Sequence, residues 1–209
     1  MYYGLGGLDQ KVEKYIDFDG GVFFEAGANN GVDQSNTLYF EESRGWRGIL
    51  VEPTPRRFLE CVRNRPLARV EWGALVPRDY ESTRVDMIYC NLMTVTKGGR
   101  GSPEADLDYV RAGLPFLRRD EKVVEYKAKA WTIDAVLQKH GVTHIDFMSL
   151  DVEGFEREAL RGADFDRVRP TWLMVEETID PAALKQLLEP WYEEVDLLSA
   201  HDYLFRARS

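Results

Sequence analysis

The chain of 209 residues is poor in the residues on which several kinds of chemistry depend. It has two cysteines, Cys61 and Cys90, far apart and without CxxC or metal-ligand spacing, which argues against a disulfide framework or a thiolate metal site and for a reduced, structural role. Its three histidines, His140, His144 and His201, form no ligand motif. His140 and His144 are four apart, but Gly141 between them is a helix stop, so structural or solvated histidines are expected. No GxSxG marks a serine nucleophile elbow, and no GxGxxG marks a dinucleotide fingerprint. No uninterrupted apolar run reaches membrane-spanning length, and Met1-Tyr2-Tyr3-Gly4 has no basic leader region, so a soluble, unexported, cytoplasmic protein is expected. Basic residues are also short, 27 against 36 acidic, and a net charge of −9 opposes attraction to a phosphate backbone. Nucleic acid is therefore not the expected partner.

What is present is a chain that is 44% hydrophobic, enough for one α/β domain over residues 1–209 that buries roughly 70% of its unfolded surface. Val22-Phe23-Phe24 predicts a strand ending in Glu25-Ala26-Gly27, after which Asp33 is expected to cap a helix closing at Gly45. Gly48–Glu52 predicts a second strand, followed by Thr54 as cap, Pro55 at the first helical position, and Phe58, Leu59 and Val62 as a buried stripe. A third strand is expected across Arg69 to Val76 and a fourth over Ile145 to Leu150, after which Gly154 begins a helix closed by Gly162. Trp172 to Val175 makes a fifth. Asp180 and Pro181 then start a helix with Leu184, Leu187 and Leu188 on one face, stopping near Pro190. Closely spaced strands near 193–198 and 203–207 finish the pattern. The alternation implies a Rossmann-like, seven-stranded, mostly parallel sheet with one antiparallel strand near the C-terminus. The stretch from Pro77 to Lys129 exceeds a simple crossover, and its Lys97–Pro103 segment looks mobile, as an inserted lid or substrate region would.

Glu25-Ala26-Gly27-Ala28-Asn29-Asn30-Gly31 lies between a predicted strand and a predicted helix, where open α/β sheets bind ligands. The glycines let a ligand approach the backbone, while the acidic Glu25 is a poor neighbour for a diphosphate. S-adenosylmethionine (SAM), with its ammonium and sulfonium, suits Glu25 better; a plain structural turn is the alternative. Glu52 ends the second strand, where a carboxylate can accept both ribose hydroxyls, or can simply be a solvated strand-end acid. Trp72 and Gly73, near the end of the third strand, can flank the adenine, although a core role suits Trp72 equally.

Asp151 and Glu153 follow the fourth strand and Glu176 and Glu177 the fifth, so both pairs should face one crevice. A hydroxyl is a poor nucleophile, and methyl transfer to it needs a positioned base or a metal. Asp151 is the candidate base. With Glu176 it is also a candidate ligand pair for a divalent cation such as Mg²⁺. The bland alternative is that Asp151 or Glu153 caps the next helix. Arg118-Arg119, in the insertion, reads as a solvated charged face more than as an anion site.

Gly21–Gly31, Ser35-Asn36-Thr37 and Gly45–Pro53 closely resemble the FkbM family of methyltransferases, and Ile145–Gly154 is similar to that family's second hallmark. The resemblance spans about Gly21 to Val175. It implies the class I methyltransferase fold, SAM as cofactor, and O-methylation of a sugar, glycan or secondary-metabolite hydroxyl. Carried over residue by residue, it supports Glu25, Gly27, Asn29, Gly31 and Glu52 as cofactor positions. The acceptor is not implied, because the 77–129 stretch matches least. Methylation of another atom and noncatalytic SAM binding are the competing expectations.

Overall fold

The computed structural model describes residues 1–208. After a short helix, α1 (Leu8–Glu13), the chain forms β1 (Val22–Ala26), α2 (Leu38–Arg44), β2 (Arg47–Glu52), α3 (Pro55–Asn64) and β3 (Arg69–Trp72). It continues through β4 (Ala74–Leu75), β5 (Arg84–Tyr89), β6 (Val95–Thr96), α4 (Pro103–Gly113) and β7 (Val124–Trp131). The remainder is α5 (Ile133–His140), β8 (Phe147–Leu150), α6 (Glu156–Leu160), β9 (Trp172–Glu176), α7 (Pro181–Leu188), β10 (Tyr192–Leu197) and β11 (Asp202–Ala207).

Seven strands make the main sheet in the order β10-β11-β9-β8-β1-β2-β3. The pairs β1–β2, β1–β8, β2–β3 and β8–β9 are parallel, and β11 lies antiparallel between β9 and β10. A parallel sheet has helices on both faces, so its strands are apolar throughout. Accordingly Phe24, Ile49, Val51, Met148 and Leu150 pack with residues of α5, α6 and α7. Their neighbours Phe23, Leu50 and Phe147 pack on the opposite face with Val12, Phe40, Trp46 and Cys61. The chain runs outward from β1 to β2 and β3 on one side, and through β8 and β9 on the other. The β1/β8 crevice is therefore the topological switch point, where such sheets bind ligands.

Several local expectations are corrected. The helix after the glycine turn starts at Leu38 rather than at Asp33. Asn30 Oδ1 accepts the amides of Val32 and Asp33, Gln34 is left-handed at φ 64°, and Ser35 Oγ accepts the amide of Leu38, so the loop is closed by its own side chains before the helix begins. On α3, Leu59 and Val62 are 52% and 44% exposed, and the buried positions are Arg57 and Cys61, continued by Arg65. The stripe is rotated because the two arginines enter ion networks. The third strand breaks at Gly73: β3 stays in the main sheet, while β4 pairs with β7. Within the 77–129 stretch, β5, β6 and β7 form a second sheet with β4, and Ser102 caps α4 by accepting the amide of Ala105. Thr54, Pro55 and Gly45 take their expected places at helix ends, as do Asp180, Pro181 and Gly141.

Candidate active site

A cleft of about 960 Å³, counted to its open mouth, lies over the carboxyl ends of β1, β2 and β8. Its floor is Glu25–Asn29, Val51–Pro53, Gly73–Leu75, Ser149 and Asp151–Glu153, and its roof is Met87, Asn91, Leu92, Thr94 and Thr96 with Phe155.

The glycine turn is fastened from both sides. Gly27 and Ala28 donate their amides to Val51 O, and Asp151 N donates to Ala26 O. A Cβ on Gly27, at φ 80°, would stand 1.7 Å from Asp151 O, so glycine is what lets β1 and β8 close at the switch point. Asn29 is left-handed at φ 49° and donates its amide to Glu52 Oε2 at 2.9 Å, while Thr54 N donates to Glu52 Oε1 at 2.7 Å. Glu52 is thus buried and backbone-bonded rather than solvated. Each oxygen keeps a free lone pair for a further donor. Burial pushes its carboxyl up to about 7, against the pull of the Thr54 and Asn29 hydrogen bonds.

Glu25 lines the cleft, yet its carboxylate is engaged by the protein. Oε1 accepts the amide of Asn36, and Oε2 accepts the hydroxyls of Ser35 and Thr37, with Arg65 Nη1 3.7 Å away. Arg65 also pairs with Glu41 at 3.1 Å and donates to Gly31 O. Glu25 therefore ties down the loop that walls the cleft. Gly31, an expected cofactor contact, faces α3 instead: a Cβ there would stand 2.8 Å from Arg65 Cγ and 2.9 Å from Cys61 Sγ. Trp72 is also outside the lining. Its indole donates to Pro53 O and lies under the Arg84 guanidinium, while Gly73 and Ala74 supply the wall.

At the other end, Asp151, Glu153 and Glu176 bring one carboxylate oxygen each within 4.8 Å of one another. Neither Asp151 nor Glu153 caps α6, whose N-cap is Phe155 without a side-chain cap bond, while Glu156 Oε1 accepts the amides of Val152 and Gly154 just before it. Asp151 Oδ1 is enclosed and has no hydrogen-bond partner. Burial first, and then the charges of Glu153, Glu176 and Glu156, hold its carboxyl well above the usual range. Burial and Glu176 raise Glu153 to about 8, and burial raises Glu156 to about 7. Glu176 reaches toward solvent through His201 Nε2 at 3.1 Å. His140 and His144 contact Glu71 and Asp146, away from the cleft. Arg118 lies 3.8 Å from Asp33 in an exposed pair.

The model of the methyltransferase FkbM domain matches residues 25–205, most of the chain. The chain belongs to the FkbM methyltransferase family. It is accordingly a SAM-dependent methyltransferase, and the FkbM domain's glycine turn, Glu52 and Asp151 all stand on one cleft. Among solved structures, the fold is similar to an FkbM methyltransferase from Methylobacillus flagellatus KT, at TM-score 0.52 and 14% identity over 90% of this chain and 44% of that one. It is similar to a precorrin-6y C5,15-methyltransferase from Geobacter metallireducens GS-15, at TM-score 0.50 and 11% identity over 98% and 88%. It also resembles Streptococcus pneumoniae Sp1610, a putative tRNA (m1A22) methyltransferase, at TM-score 0.50 and 9% identity over 95% and 68%. At these identities the likeness is one of fold. No curated protein matches the FkbM chain. Among its described residues, no helix is long and apolar enough to cross a membrane.

Sequence reasoning missed the buried arginines. Arg57, Cys61 and Arg65 recur every four residues, a helical face that was readable as such, but burial of the arginines depends on partners elsewhere in the chain. Arg57 bonds Asn91 and Glu121 from the insertion and lines the cleft.

Proposed function

We infer that the cleft holds SAM with its ribose at Glu52, its methionine part along Gly27–Asn29 and its reacting end at Asp151 and Glu153, and that the chain methylates a hydroxyl of a small or glycan-like acceptor. The supporting observation is Asp151 Oδ1, an enclosed carboxylate oxygen without a partner, at the switch point across Gly27 from Glu52. The donor set fits the cofactor: Glu52 has acceptor capacity left for two hydroxyls, and the acidic end suits a cation. When bound, the cofactor supplies an electrophilic methyl group. Asp151 in its charged form accepts the proton of the acceptor hydroxyl, and its raised affinity for a proton makes it a stronger base than an exposed aspartate. The roof residues Asn91, Thr94 and Thr96 offer amide and hydroxyl groups to the acceptor. Segment 77–129 is then the acceptor-selecting part of a single unit.

The close approach of Asp151, Glu153 and Glu176 also favours a second reading, in which these all-oxygen donors hold a divalent cation that acidifies the hydroxyl. Chelation divides the two. Activity lost to a chelator and restored by Mg²⁺ supports the cation, and chelator-insensitive turnover supports the base. The overall reading is tested by following S-adenosylhomocysteine (SAH) release across monosaccharides, glycolipid fragments and other hydroxylated acceptors, with mass analysis of the product. A methyl group found on nitrogen, or a protein that binds NAD and not SAH, would overturn it.

A further inference from the structure

Glu153 is a cleft-lining residue in a left-handed conformation, φ 61°, followed by Gly154 at φ 99°. Two consecutive residues of this kind do not hold themselves in place, because the first carries a Cβ that disfavours the conformation. The hold comes from the insertion. Arg100 donates Nη1 to Glu153 O at 3.1 Å and Nη2 to Thr178 Oγ1 at 3.1 Å, bridging the loops after β8 and β9. Tyr109 donates its hydroxyl to Glu153 Oε2, and the Arg100 guanidinium lies 3.7 Å from the Tyr109 ring centroid. Gly154 is the surface on which Arg100 rests: a Cβ there would stand 2.8 Å from Arg100 Nη1.

The clamp is itself fastened by α4. Buried Asp106, in its first turns, accepts the amides of Gly98 and Arg100, which fixes the turn carrying Arg100. Tyr109 follows three residues later, on the same helical face. One short helix thus carries Tyr109 and, through Asp106, fixes the turn that carries Arg100, the two groups that grip Glu153.

The geometry points to Arg100 and Tyr109 as positioning residues for methyl transfer, holding the Glu153–Gly154 turn so that the carboxylates of Glu153 and Asp151 face the reacting end of the cofactor. This rests on the placement of the cofactor given above. It makes the segment that contacts the acceptor also the segment that sets the catalytic carboxylates, so the two cannot be varied independently.

The test needs no acceptor. SAH is neutral at sulfur, whereas sinefungin, a SAM analogue, carries an ammonium where the transferred methyl would be, so the ratio of the two affinities reads the carboxylates at the reacting end. Calorimetry on the full chain should show Arg100→Ala and Tyr109→Phe weakening sinefungin by about tenfold while SAH stays within about twofold, as for loss of one charge-assisted contact. Tyr109→Phe keeps the ring under the guanidinium and removes only the hydroxyl, and Arg100→Lys, which cannot bridge both loops, should recover only part of the loss. Equal weakening of both ligands would mean a merely structural role and would overturn the clamp, as would no change in either. Asp151→Asn separates the two levels of the proposal. If it lowers the sinefungin preference and the clamp variants do not, the clamp fails alone. If it too leaves the preference intact, or if the wild type binds neither ligand, the cofactor placement fails and the clamp falls with it.

Discussion

Gly27 and Gly31 both have φ of 80°, yet the side chains they lack would meet different things. At Gly27 the obstacle is backbone, Asp151 O, which cannot move without opening the parallel pair. At Gly31 it is Arg65 and Cys61, on and just beyond α3. Gly27→Ala should therefore cost about 4 kcal/mol or more and leave little folded protein, whereas Gly31→Ala should cost on the order of 1–3 kcal/mol in urea unfolding. The folded Gly31→Ala fraction should keep its SAH affinity. A large loss of affinity without a loss of stability would put Gly31 at the ligand after all. Glu52→Ala is the contrasting case. It should cost about 1.5–3 kcal/mol of SAH affinity, the range for hydrogen bonds to a charged group, measured by calorimetry. Unchanged affinity would place the ribose elsewhere. The place of Glu52 on the cleft was legible because a strand-end acid after a glycine turn falls at the carboxyl end of the sheet in this topology. That Gly31 faces Arg65 and Cys61 and that Trp72 lies off the cleft lining was not legible, because a sequence states a residue's conformational freedom or its size but not which neighbour it faces.

At the scale of elements, α3 shows what hydrophobic patterning leaves out. Its apolar residues suggested an inward stripe through Phe58, Leu59 and Val62, but the inward face is Arg57 and Cys61, with Arg65 following just beyond the helix. Arg65 is bonded to Glu41, Ser35, Thr37 and Gly31 O, so both it and its carboxylate partners are compensated inside the protein. Arg65→Met should cost about 3–5 kcal/mol in chemical unfolding, because it strands Glu25 and Glu41 without a cation. Arg56 bridges Glu60 and Asp120 at the exposed surface, and Arg56→Ala should change stability far less than Arg65→Met. Raising salt should erode the second effect and not the first. Similar losses for both variants would mean that burial does not set the strength of the Arg65 network. The strands and caps were readable because each rests on a few adjacent residues. The second sheet was not, since β4 and β5 find β7 across at least 35 residues of chain, the separation of Tyr89 from Val124, and no local pattern announces that pairing.

At the scale of the whole molecule, carboxyl groups that burial makes reluctant to ionise gather in and beside the cleft: Glu52 and Glu156 at about 7 and Glu153 at about 8. In the unfolded chain these groups titrate near 4.3. The folded protein therefore binds more protons than the unfolded chain between those limits, and linkage gives stability that is full below the unfolded value and is lost as pH rises through the folded ones. From Glu52 alone the loss is on the order of 3 kcal/mol between pH 5 and pH 8. For a domain of this size the ligand-free melting temperature should fall by roughly 6–12 °C over that interval. A cation at the reacting end favours the charged forms of Asp151 and Glu153, so SAM should recover part of the lost stability, and SAH, lacking the positive sulfur, should recover less. The gap between SAM and SAH in melting temperature should thus widen from pH 5.5 to pH 8, measured by scanning fluorimetry at saturating ligand. A gap that is constant with pH, or a ligand-free melting temperature that rises over the interval, would show that these carboxyls are already ionised at the lower pH and that the acidic end of the cleft is not tuned by its burial.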